Sequence, residues 1–246
     1  MTFALDPEVA VVLEQAGPMP APPPAGDVEA RRGALDGMLE HFNNVAQPIA
    51  DDVDTVDYDV PAADGAQLRA RWYRFASSDS GAAVIYLHGG GMILGSVAIF
   101  DGPVSRYVAR GGPALARQIL LYPMLDDRNT HADPHIAPFA GWSYDDNVTG
   151  WNALLGERGN NTYVEPSAAP ARLTDASGLP PAYIEVGQLD IFRDEDVTYA
   201  LTLSQAGVPV ELHMHPGVPH EYDAIAFNAD VSRRATADRH RVLMSL

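Results

Sequence analysis

Ala82-Ala83-Val84-Ile85-Tyr86-Leu87-His88-Gly89-Gly90-Gly91 is the stretch on which the reading of the fold turns. Residues 82–87 form an apolar run, the pattern of a strand buried on both faces of a parallel sheet. Three glycines follow. Glycine backbone can turn its bare N–H groups onto one point, where an anionic oxygen is stabilised. A flexible strand-to-helix connection is the other reading of such a loop; the preceding strand and His88 favour the anion-binding one.

Downstream of this stretch the pattern alternates between helix and strand. Ile99–Arg110 has helical spacing. Ile119–Tyr122 reads as a buried strand stopped by Pro123. Residues 126–178 are loop-rich, with one helix around Asp146–Leu155. Ala182–Val186 is a strand, Asp194–Ala206 a helix with Gly207 as its cap, Val208–Met214 a strand, and Asp223–Leu246 a final helix. This alternation predicts an α/β fold, a mostly parallel sheet with helices on both faces. Upstream, helices over Pro7–Gln15 and Val28–Asn43 flank the stiff connector Gly17–Pro24. The second helix carries Leu35, Leu39 and Phe42 on one face. Val53–Val60 and Leu68–Phe75 alternate and enclose Ala63-Asp64-Gly65, which predicts an antiparallel hairpin.

Composition narrows the function. The chain has 246 residues and a net charge of −17, from 33 acids against 16 bases, every one of them Arg. Such a surface repels phosphate backbones and anionic lipid, so no nucleic-acid partner and no membrane partner is expected. There is no Cys, which removes disulfides, thiolate nucleophiles and Cys-ligated zinc. Met1–Glu8 lacks a basic start and an apolar core of a secretory signal, and no apolar run would span a bilayer. The expectation is a cytoplasmic protein. His213 and His215 share a strand face, but no recognisable ligand set accompanies them. No metal and no cofactor are expected.

Two further residues have chemical potential. Asp190 falls just past the C-terminal end of a predicted strand, where α/β enzymes place reactive groups. It reads equally as a helix cap or a solvated loop acid. Asp194 and Glu195 read as acids serving the positive end of the next helix. His220 also follows a strand, and a surface loop His is its plain alternative. One helix and one strand separate Asp190 from His220, so both emerge at the same sheet edge. There an Asp can fix a His tautomer and stabilise its protonated form.

With these residues in view, the chain resembles the α/β-hydrolase superfamily, and within it the bacterial hormone-sensitive-lipase-like carboxylesterases. His88-Gly89-Gly90-Gly91 matches that group's signature. Leu120-Leu121-Tyr122-Pro123, Gly187-Gln188-Leu189-Asp190 and Pro219-His220 match its later strands, while Leu5–Glu8 and Trp142-Ser143-Tyr144 resemble its cap. The resemblance implies Asp190 and His220 as triad acid and base. It implies an oxyanion hole from the N–H groups of Gly89, Gly90 and Gly91, and small, short-acyl esters as substrates. It divides the chain into N-terminal cap helices (1–50) and a hydrolase core (51–246), with about 126–178 adding loops and a helix to the cap.

One part of the pattern is missing. No Gly-x-Ser-x-Gly occurs among the 246 residues. In the family, two more βα units carrying the nucleophile elbow follow the helix after the glycine loop. Here Val108-Ala109-Arg110 runs into Gly111-Gly112-Pro113 and the next family strand, on the order of 60 residues early if each unit takes roughly 30. Of the eleven serines, Ser96 lacks an elbow and Ser143 falls in the cap. The expectations are an esterase-family chain without its nucleophile, a ligand-binding pseudoenzyme for a small ester or apolar ligand, or an interaction subunit. Hydrolysis through an unrecognised nucleophile is a weaker fourth. Removing two central strands predicts either direct pairing of the Leu87 and Ile119 strands or unpaired edges, with instability, homo-oligomers or aggregation as the consequence.

Overall fold

The computed structural model describes residues 3–17, 21–41, 43, 53–62, 65–75, 85–102, 104, 117–156 and 163–245. They divide into two compact units. The first comprises Met1–Val28, Gly91–Ile93 and Leu115–Arg239, the second Glu29–Gly90, Leu94–Ala114 and His240–Leu246.

The first unit is built around a parallel sheet of β3 (Gln118–Leu121), β4 (Ala182–Gly187) and β5 (Val210–His215), in the order β3-β4-β5. Ile119 lies opposite Tyr183, and Ile184 opposite Leu212. Every residue of β4 is buried, as the central position requires. Side chains alternate across a strand, so β4 serves two cores. Ile184 packs with Tyr199, Ala200 and Leu203 of α4 (Arg193–Gln205), together with Leu125, Ala182 and Val208. On its other face, Glu185 is bonded by Tyr222 of α5 (Tyr222–Ile225) and by Arg239 of α6 (Asp230–Leu243). Helices therefore cover both faces of this sheet.

The N-terminal helix α1 (Pro7–Ala16) belongs to the same unit. Asp6 caps it by accepting the Glu8 N–H at 2.9 Å, and Pro7 occupies the first turn, where its missing N–H costs nothing. Its buried Val9 packs with Val218, Tyr222, Ala226, Ala229, Val231 and Ala235. A second helix, α3 (Tyr144–Leu155), starts at a capping box formed by Ser143 and Asp146. Gly150 on this helix is required by close approach: a Cβ there would sit 2.4 Å from the Gly91 carbonyl oxygen.

In the second unit, β1 (Val53–Pro61) and β2 (Gln67–Phe75) form the expected antiparallel hairpin, registered from Val53 opposite Phe75 to Pro61 opposite Gln67. Arg71 joins the hairpin to the segment after the glycine loop, bonding Asp57 and Asp101 at 2.5 Å each. The helix α2 (Val28–Glu40) reaches the same segment, where Asp36 accepts the Gly95 N–H at 2.9 Å.

Three sequence expectations change. Ala82–Leu87 is not seen as a buried strand: residues 82–84 lie outside the described residues, and Ile85–Leu87 carries no strand pairing. Ile85 is 80% and Leu87 87% exposed. A strand persists only where neighbours satisfy its backbone groups, and among the described residues no strand does so here. Within the first unit, β3 pairs with β4 alone among the described residues. The helix expected over Ile99–Arg110 begins with a 3-10 turn at Ala98–Phe100; residues 105–110 lie outside the described residues, as do Phe42 and the Arg110–Gly111 junction. The final helix is broken at residues 226–229. Glu8 accepts the N–H of Asp230 there, and Ala226 and Ala229 pack on α1.

Among the described residues, no helix is long and apolar enough to cross a membrane. The Ile184–Leu203 core carries the first unit. Leu203→Ala, at a site with no exposure, is expected to cost about 3 kcal/mol in urea denaturation.

Candidate active site

The loops leaving β4 and β5 are joined backbone to backbone. Gln188 N–H donates to the His215 carbonyl at 2.8 Å, and Leu189 N–H to the Val218 carbonyl at 3.0 Å. Gly217 N–H donates to the Gln188 side chain at 3.2 Å. Glycine at 187 makes this approach possible: a Cβ there would lie 2.3 Å from the Val218 oxygen. The N-terminal segment closes the loop from outside, with Asp6 N–H bonding the Gly217 carbonyl at 2.6 Å.

These joints bring together the two residues singled out from the sequence. His220 Nδ1 lies 2.8 Å from Asp190 Oδ2. The other Asp190 oxygen accepts the Phe192 N–H at 3.0 Å, and the carboxylate is completely buried. Asp190 is thus neither a solvated acid nor the cap of α4, whose first turn has no side-chain cap. Aromatic rings enclose the imidazole: Tyr122 edge-on at 4.8 Å between centroids and Phe192 at 5.1 Å. Burial alone would push the imidazole down. The Asp190 charge and hydrogen bond, aided by Glu221 and Asp223, outweigh it and leave His220 raised above its ordinary value. The arrangement can hold Nδ1 protonated and present Nε2 as a proton acceptor.

The boundary between the two units falls within the glycine loop, between Gly90 and Gly91. In the second unit, Gly90 has φ +122 and its carbonyl accepts the Leu94 N–H at 2.8 Å, closing a turn. Gly89 offers its carbonyl to His88 Nδ1 at 2.7 Å, and the His88 ring stacks on Phe100 at 5.2 Å. In the first unit, Gly91 (φ +52) approaches Trp142 so closely that a Cβ would meet that ring at 2.1 Å.

Sequence reasoning missed the acids of α4. Glu195 lies in the first turn of α4, as expected, yet it is buried. It turns inward, accepting N–H groups of Leu125 at 2.6 Å and Asp126 at 3.1 Å and the Asn129 side chain at 2.8 Å. Burial pushes it up to about 8. Asp196 is also fully buried, and neither carboxyl oxygen has a hydrogen-bond partner among the described residues. Burial, then the charges of Asp190 and Glu195, raise it well above the carboxylate range. The only sequence hint was three consecutive acids, Asp194-Glu195-Asp196, where two suffice for a helix end. His213, a weak metal candidate, instead meets Glu211 at 2.9 Å.

Two outcomes follow from these charges. Asp190→Asn removes the counter-charge of the imidazolium, so His220, followed by NMR, should titrate about one to two units lower. The stability the wild-type pair contributes is complete below pH ~6.5 and disappears as pH rises through the raised folded value. Asp196 holds a proton in the folded state that the unfolded chain releases above pH ~4, so it lowers stability as pH rises. Asp196→Asn should therefore raise unfolding stability at pH 8 by about 1–3 kcal/mol, with a smaller gain at pH 4.

Comparison with known proteins bears on the fold and the family. Carboxylesterase NlhH of Mycobacterium tuberculosis is 33% identical over 132 residues, which take in 51% of this chain and 40% of that relative. The chain thus spans well under two thirds of that relative's length. Bacterial heroin esterase superposes with a TM-score of 0.80 at 25% identity, covering 98% of each chain. An esterase of the bacterial hormone-sensitive lipase family shares the fold, with a TM-score of 0.76 at 18% identity over 99% of each chain. The sequence model of the α/β-hydrolase fold matches residues 102–224, half of the chain, and spans β3 through His220. The parallel sheet, its flanking helices and this match together establish that the chain belongs to the α/β-hydrolase family.

Proposed function

We propose that this chain is an esterase-type α/β hydrolase that retains the acid and base of the catalytic machinery without the serine they would serve. Asp190 is the orienting acid, His220 the base, and the glycine loop His88-Gly89-Gly90-Gly91 the oxyanion donor. Small short-acyl esters, or apolar molecules of that size, are the ligands. Residues 1–50 and about 126–178 act as a cap, and 51–246 as the core. The single observation that carries the reading is the 2.8 Å bond between His220 and the buried Asp190.

The serines support the absence of a nucleophile. No Gly-x-Ser-x-Gly occurs. Ser143 is committed to its capping box, with its hydroxyl 2.5 Å from Asp146, and the Ser96 hydroxyl accepts the Ile99 N–H in a local turn. The outer edge of β3, unpaired among the described residues, and the exposed Ile85–Leu87 segment support a sheet that has lost central strands. Without a serine to activate, His220 assists water at best, and acyl transfer through the chain does not occur.

The test is hydrolysis of short-acyl nitrophenyl esters by the wild type and His220→Ala, with thermal unfolding measured beside it. The expected result is a rate no more than about 10³–10⁴ over water, changed less than threefold by His220→Ala. Saturating ester should raise the melting temperature of both. A drop of about 10³ or more on His220→Ala would reveal a working nucleophile and end this reading.

A second reading, an interaction subunit, has its own observation. Val56 and Trp72, Tyr58 and Ala70, and Val60 and Leu68 are opposed on one face of the hairpin, and the five large side chains are 45–56% exposed. Contiguous apolar surface of this kind marks association sites. Self-association that disappears in Trp72→Glu, measured by sedimentation, would favour it; a monodisperse monomer with a sharp two-state melt would not.

A further inference from the structure

Tyr122 carries more constraint than a residue at a strand end needs. Its backbone lies in the left-handed region, at φ +39, which a bulky aromatic rarely adopts. Such a conformation persists only where its surroundings over-determine it. Here the Tyr122 N–H donates to the Glu185 carbonyl at 2.7 Å, extending the β3–β4 ladder by one bond. Its ring lies against His220 at 4.8 Å and 72°. Its hydroxyl donates to Asp223 Oδ1 at 3.2 Å.

Asp223 is the outer end of a buried ionic chain. Arg239 donates to its other oxygen at 2.5 Å. The same guanidinium donates to Glu185 Oε1, from Nε at 3.1 Å and from Nη2 as well. Glu185 in turn accepts the hydroxyls of Tyr183 at 2.7 Å and Tyr222 at 3.3 Å. Glu185 has no exposure and Arg239 only 3%. A buried pair in which every charge has partners is rigid, because loosening any member leaves another charge unpaired.

We infer that Tyr122 is a positioning residue for His220: its ring walls the imidazole, and its hydroxyl fastens that wall to the Asp223–Arg239–Glu185 chain at the centre of the sheet. The tether converts the stiffness of β4 and α6 into a fixed imidazole plane, aligned on Asp190. This rests on the reading of His220 as the base. The charged groups near the imidazole are Asp190, Glu221 and Asp223. Of these, Asp223 is the one that Tyr122 holds.

The test is NMR of the folded full chain, following the titration of His220 and the solvent exchange of its Nδ1 proton. Tyr122→Phe keeps the ring and removes the tether. The expected result is exchange about tenfold faster and a titration shifted down by about half a unit, as the bond to Asp190 loosens. Tyr144→Phe is the control. It removes a phenol that accepts the Asp133 N–H at 3.1 Å, outside the Asp223–Arg239–Glu185 chain, and it should leave both readouts unchanged. The proposal is overturned if Tyr122→Phe moves neither readout, or if Tyr144→Phe moves them equally. If Tyr122→Phe does not fold, Asp223→Asn tests the tether through Nδ1 exchange alone; faster exchange supports it and an unchanged rate contradicts it. Neither readout involves turnover, so this inference and the esterase reading fail separately.

Discussion

The contact between Gly187 and the Val218–Pro219 backbone sets the terms for the rest of the site. Two loops leave neighbouring parallel strands at the same edge, and in most sequences side chains would hold them apart. With no Cβ at 187, the chain after β4 lies directly on the chain after β5, and Leu189 bonds Val218. Asp190 and His220 then meet at 2.8 Å with little freedom left in either loop. The N-terminal segment adds to this restraint, because Asp6 bonds Gly217 and Val9 packs on Val218. The acid–base pair is thus a product of backbone contacts that no single side-chain substitution away from glycine reproduces.

Around that pair the first unit stores charge in two different ways. On one face of β4, Glu185, Arg239 and Asp223 satisfy one another and three tyrosines, and such a network is stable only while complete. On α4, Asp196 has no partner among the described residues and Glu195 is raised to about 8. An acid kept neutral beside Asp190 avoids placing a second negative charge near the carboxylate that must remain ionised for His220. The same acid weakens the fold as pH rises. Stability and site electrostatics therefore pull against each other at one helix turn.

Much of this was legible in the sequence, for physical reasons that differ from element to element. Ala182–Val186 was readable because a central parallel strand tolerates few polar residues. Pairing of Asp190 with His220 followed from topology, since parallel strands deliver successive loops to one edge. Ile85–Leu87, the described part of the first apolar run, differs for the opposite reason: an apolar run encodes a strand only where neighbours exist to pair with it, and Ile85 and Leu87 are left largely exposed. The break at residues 226–229 depends on Glu8, more than two hundred positions away, and helical periodicity carries no trace of it. Tyr122 was visible only as part of a strand ended by Pro123. Its positive φ and its tether to Asp223 depend on a chain of buried charges contributed by three separate elements.

An acid–base pair intact in geometry and lacking a nucleophile is the central claim, and covalent labelling tests it most directly. The intact mass of the purified 26.4 kDa chain would be measured before and after exposure to a fluorophosphonate, which reacts with activated serines. The account predicts an unchanged mass on folded protein. A single stoichiometric adduct, lost in His220→Ala, would show that one of the remaining serines is activated, and would contradict it.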